Sequence, residues 1–96
     1  MKVLVSDKAK LDLLRIYSYL SQQNRDAAIG VIRRIDARLE QLSRFPFLGR
    51  PRPSLAPGLR SLIAGSHLIF YTVGTDQITV VRVIDGRMDI DEEFRR

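Results

Sequence analysis

The sequence predicts an α+β fold in which an N-terminal strand and an antiparallel αα-hairpin pack on a mainly antiparallel β-sheet. Three observations predict it. Apolar residues from Ala9 to Leu42 recur at helical spacing. From Gly58 to Gly86 the chain holds three runs rich in β-branched and aromatic residues. Between these halves, all four prolines crowd into Phe45–Gly58.

In chain order, Lys2-Val3-Leu4-Val5 is a short β-like run that joins the sheet beside a neighbour the sequence leaves open. Ser6 suits a helix N-cap because its hydroxyl can accept from a free first-turn amide, and Asp7 suits the positive helix end. Ala9, Leu13, Ile16, Tyr17 and Leu20 then place a helix of about four turns up to Ser21 or Gln22. Asn24 caps a second helix, after a link expected over Gln22-Gln23-Asn24-Arg25. Its apolar residues Ala28, Ile32, Ile35, Leu39 and Leu42 step by 4, 3, 4, 3, the seam of a helix packed on another helix. Gly30 weakens this helix by about 1 kcal/mol relative to alanine unless it permits a close contact.

Proline denies backbone donors and disfavours helix before it, so 45–58 reads as a stiff extended connector. Phe45, Phe47 and Leu48 are expected to anchor it, leaving Arg50 and Arg52 exposed. In the sheet, a two-residue Gly65-Ser66 turn sets Ala64 opposite His67 and Arg60 opposite Tyr71. A four-residue Gly74–Gln77 loop sets Val73 opposite Ile78 and Ile69 opposite Arg82. Side chains alternate between faces. Arg60, His67, Tyr71 and Arg82 therefore share a face with Leu62, Ala64, Ile69 and Val80, expected to be an open binding surface. The other face, with Ile63, Phe70, Val81 and Val83, carries no charge and is expected to lie under the helices. After Gly86 a short helix docks back through Met88, Ile90 and Phe94.

Ninety-six residues suffice for a single domain, 1–96, and are too few for two. Without cysteine there is no disulfide scaffold, thiolate nucleophile or cysteine-ligated metal. The N-terminus has no signal-peptide core and no apolar run long enough for a membrane span, so a cytoplasmic protein is expected. Sixteen Lys and Arg against 11 Asp and Glu give +5, and the distribution is uneven. No acid lies between Glu40 and Asp76, while Arg44, Arg50, Arg52 and Arg60 do, and Asp85–Arg96 is acidic overall. A basic middle predicts an anionic partner.

The search for chemistry finds little. His67 has no carboxylate or cysteine in its hairpin to complete a metal site. The acids Asp89, Asp91, Glu92 and Glu93 read as a solvated face. Metal-independent RNA cleavage needs a base, an acid and cations around the phosphate. Arg60 and Arg82 could supply cations and His67 or Tyr71 a proton carrier, but a cationic binding role for the arginines is the simpler reading. No catalytic residue, cofactor or metal is assigned.

The ordered motifs carry more. Ala9 with Leu13, Ile16 and Tyr17 is followed by Phe45-Pro46, Leu48-Gly49-Arg50, Gly58-Leu59-Arg60 and Ile69-Phe70-Tyr71. Last comes Arg82-Val83-Ile84-Asp85-Gly86-Arg87-Met88-Asp89, similar to an Arg-Val-Leu-His-Gly-x-x-Asp signature. Over nearly the whole chain this order resembles the RelE/ParE superfamily of type II toxin–antitoxin toxins, which include plasmid stabilisation proteins. RelE-like members are ribosome-dependent messenger RNA endonucleases that use lysines, arginines and a C-terminal Tyr or His. Here no lysine follows Lys10, no Tyr or His follows Tyr71, and Asp85 stands where many relatives carry histidine.

The resemblance therefore favours the ParE branch, whose members inhibit DNA gyrase by binding. It implies a cognate ParD-type antitoxin, with DNA contacted only through that antitoxin. The expected antitoxin-binding residues are Arg50, Arg52, Arg60, His67, Tyr71 and Arg82. Arg87, Arg95 and Arg96 in the tail are expected to contact the target. The alternative is a RelE-like ribonuclease using Arg60, His67, Tyr71 and Arg82.

Overall fold

The computed structural model describes residues 1–95, and Arg96 lies outside them. The order is β1 (Lys2–Val5), α1 (Asp7–Gln23), α2 (Arg25–Arg44), β2 (Arg50–Pro51), β3 (Arg60–Ala64), β4 (His67–Val73), β5 (Gln77–Asp85) and α3 (Ile90–Arg95). The strands form one sheet in the order β1-β5-β4-β3-β2, with β1 parallel to β5 and every other pair antiparallel. The expected α+β fold is the one observed.

Both predicted caps form. Ser6 Oγ accepts from the Ala9 N–H at 3.1 Å, and Asn24 Oδ1 accepts from the Ala27 N–H at 3.0 Å. The expected four-residue link shrinks to Asn24 alone. Its N–H donates to Leu20 O at 2.8 Å to close α1, while its side chain opens α2. A single extended residue that caps both helices forces them back on each other without a loop. The α2 seam faces inward, with Ala28, Ile35 and Leu42 buried.

The β3–β4 register is as predicted, Arg60 opposite Tyr71 and Ala64 opposite His67, across a turn in which Gly65 takes φ +62°. That positive φ is why a glycine stands there. Val73 also faces Ile78 as expected. Further along, the alternation breaks. Tyr71 pairs with Val80 but Phe70 with Arg82, so Val81 is an extra residue and β5 carries a bulge. Ile69 therefore opposes Val83, not Arg82.

The face assignment is reversed. Leu62, Ala64, Ile69, Tyr71, Ile78 and Val80 pack beneath Ala9, Ile35 and Leu42 of the helices, joined by Val83, which the bulge turns inward. The face expected under the hairpin, with Phe70, Leu68 and Val81, is instead covered by Leu55, Ala56 and α3. Both faces are apolar enough to be buried, and Arg60, Tyr71 and Arg82, which seemed to mark an open surface, are hydrogen-bonded internally. In α3, Phe94 meets Phe70 edge to face at 4.8 Å and Ile90 packs nearby, as expected of the tail, but Met88 stays half exposed.

Candidate functional site

The six side chains expected on one surface are divided between the two ends of the sheet. Arg50, Arg52, Arg60 and Tyr71 gather where β2 docks on β3. His67 and Arg82 line a cleft between α1, the end of β5 and α3.

At the first end the sequence dictates a tight docking of the connector. Tyr71 is fully buried, and its hydroxyl accepts from the Gly49 N–H at 2.8 Å. A Cβ on Gly49 would lie 2.7 Å from both Ser61 O and that hydroxyl, so only glycine allows the approach. Burial pushes the Tyr71 hydroxyl pKa up, against the opposing effects of the Gly49 hydrogen bond and Arg60. Arg60 donates to Gly49 O at 2.6 Å and lies over the Phe47 ring, 4.9 Å from its centre. Arg52 donates to Ser61 Oγ at 3.1 Å, and its guanidinium sits 5.5 Å from the Phe70 ring centre. Arg50 stands exposed, as predicted, in the two-residue strand that the prolines did not forecast. The expected anchors are not buried: Phe45 is 60%, Phe47 64% and Leu48 48% exposed. This first part of the connector is held by backbone contacts and by Arg60, while Leu55 and Ala56 further along pack against the Phe70 cluster.

Leu48, Gly49, Arg50, Arg52 and Ser61, without Arg60 or Tyr71, border a concavity of about 410 Å³ around the outer edge of β3. Arg38 of α2 enters it as well, donating through Nε to Ile63 O at 2.8 Å and through Nη1 to Gln41 Oε1 at 2.7 Å. The sequence reading missed Arg38, because helical spacing alone marks it as one more arginine on a polar helix face.

At the other end Arg82 forms a bidentate pair with Asp12 of α1, at 2.8 and 3.0 Å, with both side chains nearly buried. Hydrogen bonding to Asp12 raises its pKa further, against the cost of burial. Its Nη1 also donates to Glu93 O at 2.8 Å, tying α1 to α3. Asp12 was not singled out from the sequence, although a carboxylate one turn from Ala9 on the buried side of a helix was visible there. His67 is buried at the start of β4; desolvation lowers its pKa, with Asp85 opposing and Arg87 and Arg34 adding. Arg87 pairs with Asp85 at 2.7 Å, and its side-chain and backbone hydrogen bonds hold that carboxyl down at about 2. These groups and Arg15, Ile16, Tyr19 and Leu20 line a cleft of about 560 Å³. Arg95 is exposed on α3, and Arg96, the remaining expected target contact, is outside the described residues.

Among the described residues, no cluster of three or more His, Asp or Glu could hold a metal ion. No helix among them is long and apolar enough to cross a membrane. Among the described residues, both of these clefts carry arginines in their lining.

An αα-hairpin laid on a five-stranded sheet, with a short C-terminal helix behind it, is the architecture of RelE/ParE-type toxins. The family described as the ParE toxin of the type II toxin–antitoxin system parDE matches residues 3–90, and the chain belongs to it. Toxin ParE1 of Caulobacter vibrioides is 33% identical over 86 residues, covering 88% of each chain. Toxin ParE1 of Mycobacterium tuberculosis is 40% identical over 70 residues, 72% of this chain and 71% of that one. Among solved structures, a chain of a chromosomal ParDE toxin–antitoxin system from P. aeruginosa superposes with a TM-score of 0.75 at 25% identity. That match covers 88% of this chain and 95% of the other.

Proposed function

We propose that this chain is a toxin that acts by binding DNA gyrase and is neutralised by a ParD-type antitoxin, in the cytoplasm of a cell maintaining a toxin–antitoxin module, plasmid-borne modules included. The observation that carries the binding reading is how the four residues of the alternative nuclease site are used. Tyr71 is buried against Gly49, Arg82 is paired with Asp12, His67 is buried, and Arg60 clasps the connector. They hold the fold together and do not converge around a space for a scissile phosphate, which supports a toxin working through its surface. The Arg50 and Arg52 rim is the antitoxin contact in this reading, and Arg87 and Arg95 on the C-terminal side are the target contact.

A supercoiling assay with purified gyrase tests it. Inhibition by the chain, relieved by the antitoxin encoded in the neighbouring reading frame, is the expected result. Messenger RNA cleaved at ribosomes in a purified translation system, with gyrase unaffected, would establish the nuclease reading in its place.

A further inference from the structure

The concavity at the β3 edge has a more specific design than a generic basic patch. Arg38, Arg50 and Arg52 form its rim, no acidic residue among the described ones lines it, and Leu48, Leu62, Ile63 and Leu68 form its floor. Leu48 and Ile63 are 48% and 61% exposed, a large apolar area to leave in water beside three cations.

The rim is also fixed in advance. Ile63 O anchors Arg38 and Ser61 Oγ anchors Arg52, which leaves Nη2 of Arg38 uncommitted. Arg50 is exposed beside them. Side chains already immobilised lose less entropy when a ligand arrives.

The same contacts rule out one common binding mode. Beyond Ser61 the outer edge of β3 has no strand neighbour among the described residues, yet Arg38 occupies the outward carbonyl of Ile63. Pro51 and Pro53 in the adjoining connector have no N–H to give. An incoming strand would find little backbone to pair with, so recognition here must run through side chains.

From these features we infer that the β3-edge groove is a docking site for an extended peptide segment in which carboxylate and aliphatic residues alternate. Carboxylates meet the guanidinium rim, and aliphatic side chains cover Leu48 and Ile63. Single-stranded nucleic acid fits less well, since such sites present aromatic platforms for base stacking and this floor is aliphatic. The inference rests on the antitoxin reading in one respect: it gives the chemistry of the segment by which an antitoxin would hold this rim.

The test uses the full chain and a synthetic peptide, acetyl-Glu-Leu-Asp-Val-Glu-Leu-amide, followed by amide chemical shifts. The expected result is shifts centred on Gly49, Arg50, Ser61 and Ile63, weakening as salt rises. Arg50→Glu should weaken binding about tenfold, and because Arg50 is exposed this variant stays folded. Arg25→Glu, about 20 Å up the same helix from Arg38, should bind like the parent. No shifts, shifts centred on the α1–α3 cleft, or equal binding of a lysine-substituted peptide or a deoxythymidine oligonucleotide would overturn the assignment. A parallel titration with the purified neighbouring-frame antitoxin separates the two claims. Antitoxin binding that ignores Arg50→Glu removes the groove and spares the antitoxin reading. Failure of the antitoxin to bind the parent chain removes that reading, while the peptide result decides the groove on its own.

Discussion

The Asp12 carboxylate accepts two bonds from the Arg82 guanidinium and a third, at 3.0 Å, from the backbone N–H of Val83. The position explains the pair. β1 covers β5 only from Gln77 to Val80, and Ser6 extends that coverage by one hydrogen bond from its N–H to Val80 O and one from its hydroxyl to Val81 O. Beyond this point β5 would be a bare edge running beneath α1. Asp12 satisfies the next outward amide, and Arg82, displaced by the bulge, neutralises the buried carboxylate.

Removing one member of this pair should be costly because the other is left charged and nearly buried. Asp12→Ala or Arg82→Ala is expected to destabilise by about 3–5 kcal/mol. Asp12→Leu combined with Arg82→Met should lose far less, since no uncompensated charge remains. Urea denaturation of the three variants checks this. Equal losses in the single and double variants would show that the charge pairing is not what matters.

The connector gives a second expectation. Tyr71→Phe removes the acceptor for the Gly49 N–H and leaves a buried donor unsatisfied, at about 1–3 kcal/mol. Gly49→Ala drives a methyl into the Ser61 carbonyl and the Tyr71 hydroxyl and should cost at least a similar amount, about 1–3 kcal/mol. Hydrogen exchange would show the Gly49 amide losing protection in Tyr71→Phe before the rest of the sheet does.

Gly30 should behave in the opposite way. A Cβ there would meet no atom within 4 Å, so no helix contact requires the glycine. Gly30→Ala is expected to stabilise by about 0.5–1 kcal/mol through helix propensity and a less flexible unfolded chain. A thermal midpoint no higher than that of the parent would mean the glycine has a role in a complex or a motion.

Caps, the α2 seam, the Gly65-Ser66 turn and the Arg60–Tyr71 register follow from local chemistry, and local chemistry is written in neighbouring residues. The covered face was not legible, because both faces of the sheet are apolar and Tyr71 advertises a polar tip that is satisfied by a residue 22 positions away. Nor was the bulge. Val80, Val81, Arg82 and Val83 all suit a strand, and an extra residue there has no glycine to mark it. The bulge takes Arg82 off the Tyr71 face and the helices bury that face, so the single groove expected from strict alternation does not form.

His67 is buried at the base of β4, where loss of water disfavours its charged form. Asp85 pulls its pKa up, and Arg87 and Arg34 push it down, so the folded value lies below the ordinary 6.5. Between the folded value and 6.5, the unfolded chain binds a proton at this position that the folded chain refuses. The histidine's contribution is therefore fully present above pH 6.5 and is lost as pH falls from there through the folded value. Asp85 stays ionised throughout that window, because Arg87 holds it at about 2. Proton NMR of the imidazole should give a midpoint below 6.5, and urea denaturation should show stability falling as pH drops below neutrality. His67→Gln should flatten that slope, and Asp85→Asn should lower the imidazole midpoint further. A midpoint at or above 6.5 would mean that Asp85 offsets or outweighs burial.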